Sequence, residues 1–265
     1  PAIVGGRVFV GLAEQSVFSA TGRVLCFDLA SGKQSWEAET RYPVFSSPAV
    51  SGGKVFVGEG FHQDSDCSLY AFAAASGKKL WSFTTGSHLE SSPHIADGRV
   101  FFGAGDDGVY CLDSADGRKL WHQGGLHVDI SPLLSGGLVY AGSGYGKLEA
   151  FALDGRSGAF AWRTPVKLPA WGAPVRLGNR IIYGLGNGNF TESAQKPAGA
   201  VLCLSAATGK LAWRTELPDG VLTAVVAGRK ARFVGCRDGR VYSLDPASGE
   251  LLWSAACGAR AVVSS

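Results

Sequence analysis

The sequence of 265 residues contains no methionine. Pro1 is therefore not a translation start, and the chain reads as a processed protein or an excised segment that can be part of a longer one. No stretch approaches the ~20 consecutive apolar residues of a membrane-spanning helix, and the start lacks the charged–apolar–small order of a signal peptide. Charge of one sign is also scarce. Lys and Arg total 25 against 22 Asp and Glu, a net charge of +3, and the basic residues form no run of the kind a nucleic-acid backbone needs. No two of the six cysteines are adjacent and none forms a C-x-x-C. Cys26 ("VLCFD"), Cys111 ("VYCLD") and Cys203 ("VLCLS") instead share one slot in apolar strands, which predicts reduced, buried thiols acting as small hydrophobes. There is no G-x-S-x-G elbow, no H-E-x-x-H and no P-loop. The glycine-rich "GAGDDG" (103–108) and "GNGNF" (186–190) have no helix after them to cradle a phosphate, and they read as turns. "HQDSD" (62–66) has an Asp-x-Asp but not the spaced ligands and final glutamate of a calcium loop. "NFT" (189–191) is a glycosylation triplet only in a eukaryotic secretory setting.

Glycine, by contrast, is plentiful, at 38 residues. Inside a helix each would cost roughly 0.5–1 kcal/mol, so the count suits short strands joined by tight turns. The tryptophans reveal an internal repeat. "SGKQSW", "SGKKLW", "DGRKLW", "SGAFAW", "TGKLAW" and "SGELLW" end at Trp36, Trp81, Trp121, Trp162, Trp213 and Trp253, at intervals of 45, 40, 41, 51 and 40 residues. Each unit contains an "SSPAV"-like segment, a glycine turn, an apolar run ending in glycine ("RVFVG", "KVFVG", "RVFFG"), a third strand, and a fourth carrying the tryptophan. Four antiparallel strands per ~40–45 residues mark a propeller blade. The near-continuous apolar runs require strands covered on both faces. The predicted fold is all-β: a single β-propeller domain over 1–265, of six four-stranded antiparallel blades with repeats at 1–42, 43–87, 88–126, 127–168, 169–218 and 219–265.

These units resemble the PQQ-like, or quinoprotein-type, β-propeller repeat. "YCLDSADGRKLW", "LCLSAATGKLAW" and "YSLDPASGELLW" are similar to its tryptophan-docking motif, in which the indole seats on the next blade beside a turn glycine. The six tryptophans above would be those structural residues. The segment 184–200 is similar to PQQ-like propellers common in planctomycetes. The resemblance implies a periplasmic or otherwise exported protein. It also raises PQQ and Ca²⁺ as cofactors, but dehydrogenases of this type often add a Cys-Cys pair and usually add long insertions bearing a base and calcium ligands, and this sequence has neither. The fold is shared by enzymes, assembly scaffolds and sensors, so it does not decide between them.

Links between second and third strands are long at 11–23, 58–68 and 184–199, and insertions collected on one face mark a binding face. The last offers Asn187, Asn189 and Phe190 beside Trp171, an arrangement that suits a well-packed loop and also carbohydrate or peptide recognition. Aligning the segments that lead into each first strand gives a second candidate. The position three before the proline slot holds Phe45, Glu90, Asp129, Trp171, Leu222 and Val263. Two residues earlier, histidine occurs only as His88 and His127. His88, Glu90, His127 and Asp129 are thus expected around one channel mouth. They would either hold Zn²⁺ or another borderline divalent ion, or form a rim in which the acids accept backbone N–H bonds. Together these readings predict a non-catalytic propeller that binds or scaffolds a protein or carbohydrate partner through its loop-rich face, with no resident quinone. The alternative is a divergent quinoprotein dehydrogenase or a metal-dependent enzyme using the His/acid cluster.

Overall fold

The structure, a computed structural model, describes residues 1–15, 20–189 and 192–257. Among these residues every element is a β-strand, arranged as six four-stranded antiparallel sheets with neighbours in chain order. Each sheet falls within one of the six predicted repeats. Among the described residues no helix is long and apolar enough to cross a membrane. The chain forms two compact units, Pro1–Leu134 and Ser135–Ser265.

The first unit holds three blades. Blade 1 pairs Ala2–Val4, Arg7–Gln15, Ala20–Asp28 and Gln34–Thr40. Blade 2 pairs Ala49–Ser51, Lys54–Gly58, Ser68–Ala73 and Lys79–Thr84. Blade 3 pairs His94–Ala96, Arg99–Gly103, Val109–Asp113 and Lys119–Gln123. The short first strand turns into the second through two residues in the left-handed region, such as Gly52 and Gly53 (φ 57° and 72°). That is the backbone a two-residue hairpin of matching twist requires, and glycine adopts it without steric cost. In blades 2 and 3 the second and third strands are buried on both faces, as their unbroken apolar runs require. The apolar cores lie between successive blades. One joins Phe9, Val24 and Trp36 to Val55 and Phe72, and another joins Phe56 and Leu69 to Val100 and Leu112.

The second unit repeats the plan. Blade 4 pairs Leu133–Ser135, Leu138–Gly142, Glu149–Asp154 and Phe160–Pro165. Blade 5 pairs Val175–Leu177, Arg180–Gly186, Gly199–Ser205 and Leu211–Leu217. Blade 6 pairs Val226–Ala227, Arg232–Cys236, Arg240–Leu244 and Leu251–Ala256. Its core between blades 5 and 6 includes Ile182, Val201, Trp213, Val234 and Tyr242.

The cysteine slot has a structural cause. Cys26, Ala71, Cys111, Ala152, Cys203 and Ser243 each sit directly across from the repeat tryptophan, and the register slips by one immediately after each pair. A bulge there re-aims the fourth strand, and only a small side chain fits opposite an indole. Five cysteines are buried and none is bonded to another, whereas Cys257 is exposed.

The tryptophans dock as the repeat implies within each unit. An added Cβ on Gly77, Gly117, Gly209 or Gly249 would lie 2.5–2.7 Å from Cε3 of Trp36, Trp81, Trp162 or Trp213 respectively. Trp36, Trp162 and Trp213 also donate an indole N–H to Ala74, Ala206 and Pro246 carbonyls, while the Trp81 N–H has no acceptor. Trp121 is buried, 8% exposed. Trp253 departs from the expectation at 49% exposed. The expected 11–23 loop is also corrected. The strands Arg7–Gln15 and Ala20–Asp28 run through most of it as a long hairpin.

Candidate functional site: a histidine–carboxylate cluster in the first unit

The segments that lead into blades 2, 3 and 4 lie side by side because their serines link them. The Ser47 N–H donates to Ser92 Oγ, and the Ser92 N–H donates to Ser131 Oγ, each at 2.9 Å. Within blades 2 and 3 the preceding serine clamps the end of the second strand. Ser46 Oγ bonds Gly58 N and O, and Ser91 Oγ bonds Gly103 N and O. This registration places the aligned positions 45, 90 and 129 in a row. It is the reason residues about 40 apart in sequence meet.

The four expected residues do come together. His88 Nε2 lies 3.0 Å from Asp129 Oδ1, and His127 Nε2 lies 2.7 Å from Asp129 Oδ2. His127 Nδ1 reaches Asp106 Oδ1 at 2.6 Å, and His88 Nε2 stands 3.9 Å from Glu90 Oε1. The histidine that the alignment missed is His62, from the link between second and third strands of blade 2. Its Nδ1 is 2.7 Å from Glu90 Oε1, and its Nε2 is 3.9 Å from Asp129 Oδ2. Three imidazoles therefore surround one carboxylate, with ring centroids 4.9–5.7 Å apart. In sequence its signal is the histidine that opens "HQDSD". Which blade receives a link cannot be read from repeat alignment alone.

Burial and charge set the chemistry. Asp129 is buried, which opposes its ionisation. Hydrogen bonds and positive charge from His127 and His88 outweigh that and hold it at about 2. Burial likewise opposes a charged His127, yet Asp129 and then Asp106 raise it to about 9, so at neutral pH it is an imidazolium clamped between two carboxylates. Glu90 is pushed upward, first by burial and then by the Asp129 charge, against the opposing pull of His62. Gly105, in the "GAGDDG" turn, leaves the space His88 occupies, since a Cβ there would fall 2.5 Å from His88 Cε1. His62 is the solvent-facing member, 27% exposed. Beside it Phe61 and Phe45 pack together with ring centroids 5.0 Å apart, 41% and 47% exposed.

The second candidate loop is organised differently. Trp171 is 3% exposed, seated over Gly144 and edge-on to Tyr145, so it is not the exposed aromatic considered from sequence. Both ends of the Asn187 amide are used inside the loop, donating to Lys196 O and accepting from Ala198 N. Asn189 Oδ1 accepts from Glu192 N. The loop's own backbone engages these amides. Phe190 lies outside the described residues.

Comparison with known proteins places this geometry in a family. Among curated proteins, outer membrane protein assembly factor BamB of Yersinia pestis is 28% identical, over 55% of this chain and 38% of its own length. Polyvinylalcohol dehydrogenase of a Pseudomonas species is 25% identical, over 54% of this chain and 33% of its own. The chain thus matches about a third of the length of either curated relative. Among solved structures, BamB of Moraxella catarrhalis superposes with a TM-score of 0.70 at 20% identity, covering 89% of this chain and 72% of that one. A europium-containing methanol dehydrogenase superposes at 0.75 with 14% identity, covering 99% and 69%. At those identities the structures establish the propeller fold alone. The sequence profile described as outer membrane protein assembly factor BamB matches residues 1–89, 64–181 and 170–265, and with that coverage the chain belongs to this family of PQQ-like repeat propellers.

Proposed function

We propose that the chain is a non-catalytic propeller that binds a protein partner in an exported, periplasmic setting, with the Phe45–Phe61 pair as an anchor of the contact. The observation that carries this is an exposed aromatic pair set beside a buried, hydrogen-bonded cluster, on a chain of the BamB family. Two adjacent, half-exposed rings, Phe45 on the lead-in to blade 2 and Phe61 on the link between its second and third strands, are the kind of anchor that dominates protein interfaces. Quinone chemistry is disfavoured by the donor set. Ca²⁺ takes oxygen ligands only, whereas the cluster is rich in imidazole nitrogen. The sequence also has no adjacent cysteine pair, and Trp171 is packed edge-on in a loop with no flat face offered to a cofactor. Carbohydrate binding loses support, because Trp171 is buried and the Asn187 and Asn189 amides bond within their own loop.

The test is a photo-crosslinking amino acid at position 45 or 61 in the producing cell, with position 120 as an exposed control. Capture of one discrete protein from 45 and 61, absent from 120, is expected. Equal labelling from all three positions would overturn the interface. Turnover of an alcohol with an electron acceptor after addition of PQQ and Ca²⁺ would overturn the non-catalytic reading.

A further inference from the structure

The geometry points to a divalent transition-metal site in the first unit, formed by His62 Nε2, His88 Nε2 and the Asp129 carboxylate. These three ligand atoms lie within 4.8 Å of one another. Imidazole and carboxylate ligands bind Zn²⁺ at roughly 2.0–2.2 Å, so two of them sharing an ion stand about 3.3–3.5 Å apart in tetrahedral geometry. His88 Nε2 stands 3.0 Å from Asp129 Oδ1 and His62 Nε2 stands 3.9 Å from Asp129 Oδ2, so each imidazole faces one oxygen of the same carboxylate at close to that spacing. Small rotations of His62, the most exposed of the three, would close the shell.

The groups behind these ligands are arranged as metal sites require. A ligating histidine ordinarily fixes its other ring nitrogen on a carboxylate, carbonyl or hydroxyl, which sets the tautomer and aims the ligand atom. His62 does so through Nδ1 to Glu90 Oε1 at 2.7 Å, and His88 does so through Nδ1 to Ser87 Oγ at 3.2 Å. Asp129 is oriented by His127, whose two nitrogens are committed to Asp129 and Asp106. The assignment therefore differs from the one drawn from repeat alignment. His62 takes the ligand position expected of His127, while Glu90 and His127 become positioning residues. Two nitrogens and one oxygen suit Zn²⁺ or Co²⁺ better than Ca²⁺ or Mg²⁺. The solvent-facing side at His62 leaves a fourth position for water. This inference is independent of the partner proposal, because it rests on the imidazole geometry and not on the aromatic pair.

The experiment uses the whole chain, stripped with a chelator and titrated with Zn²⁺ by calorimetry and with Co²⁺ by visible absorption. One equivalent of Zn²⁺ should bind, and Co²⁺ should develop the intense visible bands of low-coordinate nitrogen and oxygen ligation. His62→Ala and His88→Ala should each weaken binding at least tenfold, and Glu90→Gln should weaken it about tenfold through the lost orientation of His62. His94→Ala, at a histidine outside the cluster, should leave it unchanged. Asp129 is so fully enclosed that its variants can fail to fold. His62→Ala, at a partly exposed position and checked by circular dichroism, keeps the question decidable. Absence of one-equivalent binding, or binding that His62→Ala and His88→Ala leave intact, would overturn the site.

Discussion

Two buried glutamates show how far local partners decide the behaviour of one residue type. Glu59 is enclosed and accepts from Tyr42 N–H, Ser68 N–H and the Tyr70 hydroxyl, yet burial wins and its carboxyl is raised. Glu149 is also little exposed, but Lys147 and Arg163 hold it at 2.8 and 2.6 Å. There burial is outweighed and the carboxyl is lowered. The signs follow by linkage. Glu149 adds stability above its unfolded value near 4.3, and this is lost as pH falls through its lower folded value. Glu59 acts oppositely, and its contribution is present below about 4.3 and lost as pH rises through the raised value. Glu149→Gln should therefore flatten the acid limb of a urea-midpoint titration while costing about 1 kcal/mol at neutral pH, both cations being solvent-exposed and screened. A full acid slope in that variant would show that other carboxylates control it. The same scale separates backbone strain from docking. Gly32 and Gly77 both have positive φ, but an added Cβ meets nothing at Gly32 and meets the Trp36 ring at 2.6 Å at Gly77. Gly32→Ala should cost about 1 kcal/mol from the left-handed backbone, and Gly77→Ala a further 1–3 kcal/mol from overpacking, both read from denaturant midpoints.

At the scale of the element, the indole and the turn it meets form one unit of stability. Trp121→Ala and Trp213→Ala should each cost about 3–5 kcal/mol as large-to-small changes at buried sites. Trp253→Ala should cost less than half as much, since half of that ring already faces water. Equal losses at 213 and 253 would show that docking is not what the ring supplies. This part of the fold was legible in the sequence because its determinants recur: the Ser/Thr/Asp-Gly turn separated by three residues from the tryptophan, the glycine-ended strand and the small residue opposite the indole each appear in register six times. The cluster was only partly legible. His88, Glu90, His127 and Asp129 could be aligned because they occupy equivalent positions. His62 sits in a link with no counterpart of equal length in blade 3, and its neighbour depends on where that link crosses. Trp171 was misread for a related reason. An extra tryptophan beside a long loop looks the same in sequence whether the loop folds over it or leaves it open.

For the molecule as a whole, two compact units with cores between successive blades predict unfolding that is not a single step, since repeat architectures are stabilised by neighbour contacts. Urea unfolding followed by fluorescence and circular dichroism should give non-coincident curves. Trp36→Ala should move the part belonging to the first unit, and Trp213→Ala the part belonging to the second. One coincident transition shifted equally by both would refute this. The docking arrangement bears on the history of such chains as well. Each lock is divided between successive repeats, the ring on one and the bare turn on the next, and every copy carries both halves. A duplication of one whole repeat then inserts a ring and a turn that already match their new neighbours. The copy number can change without a new interface having to arise, while the loops between strands remain open to change one repeat at a time.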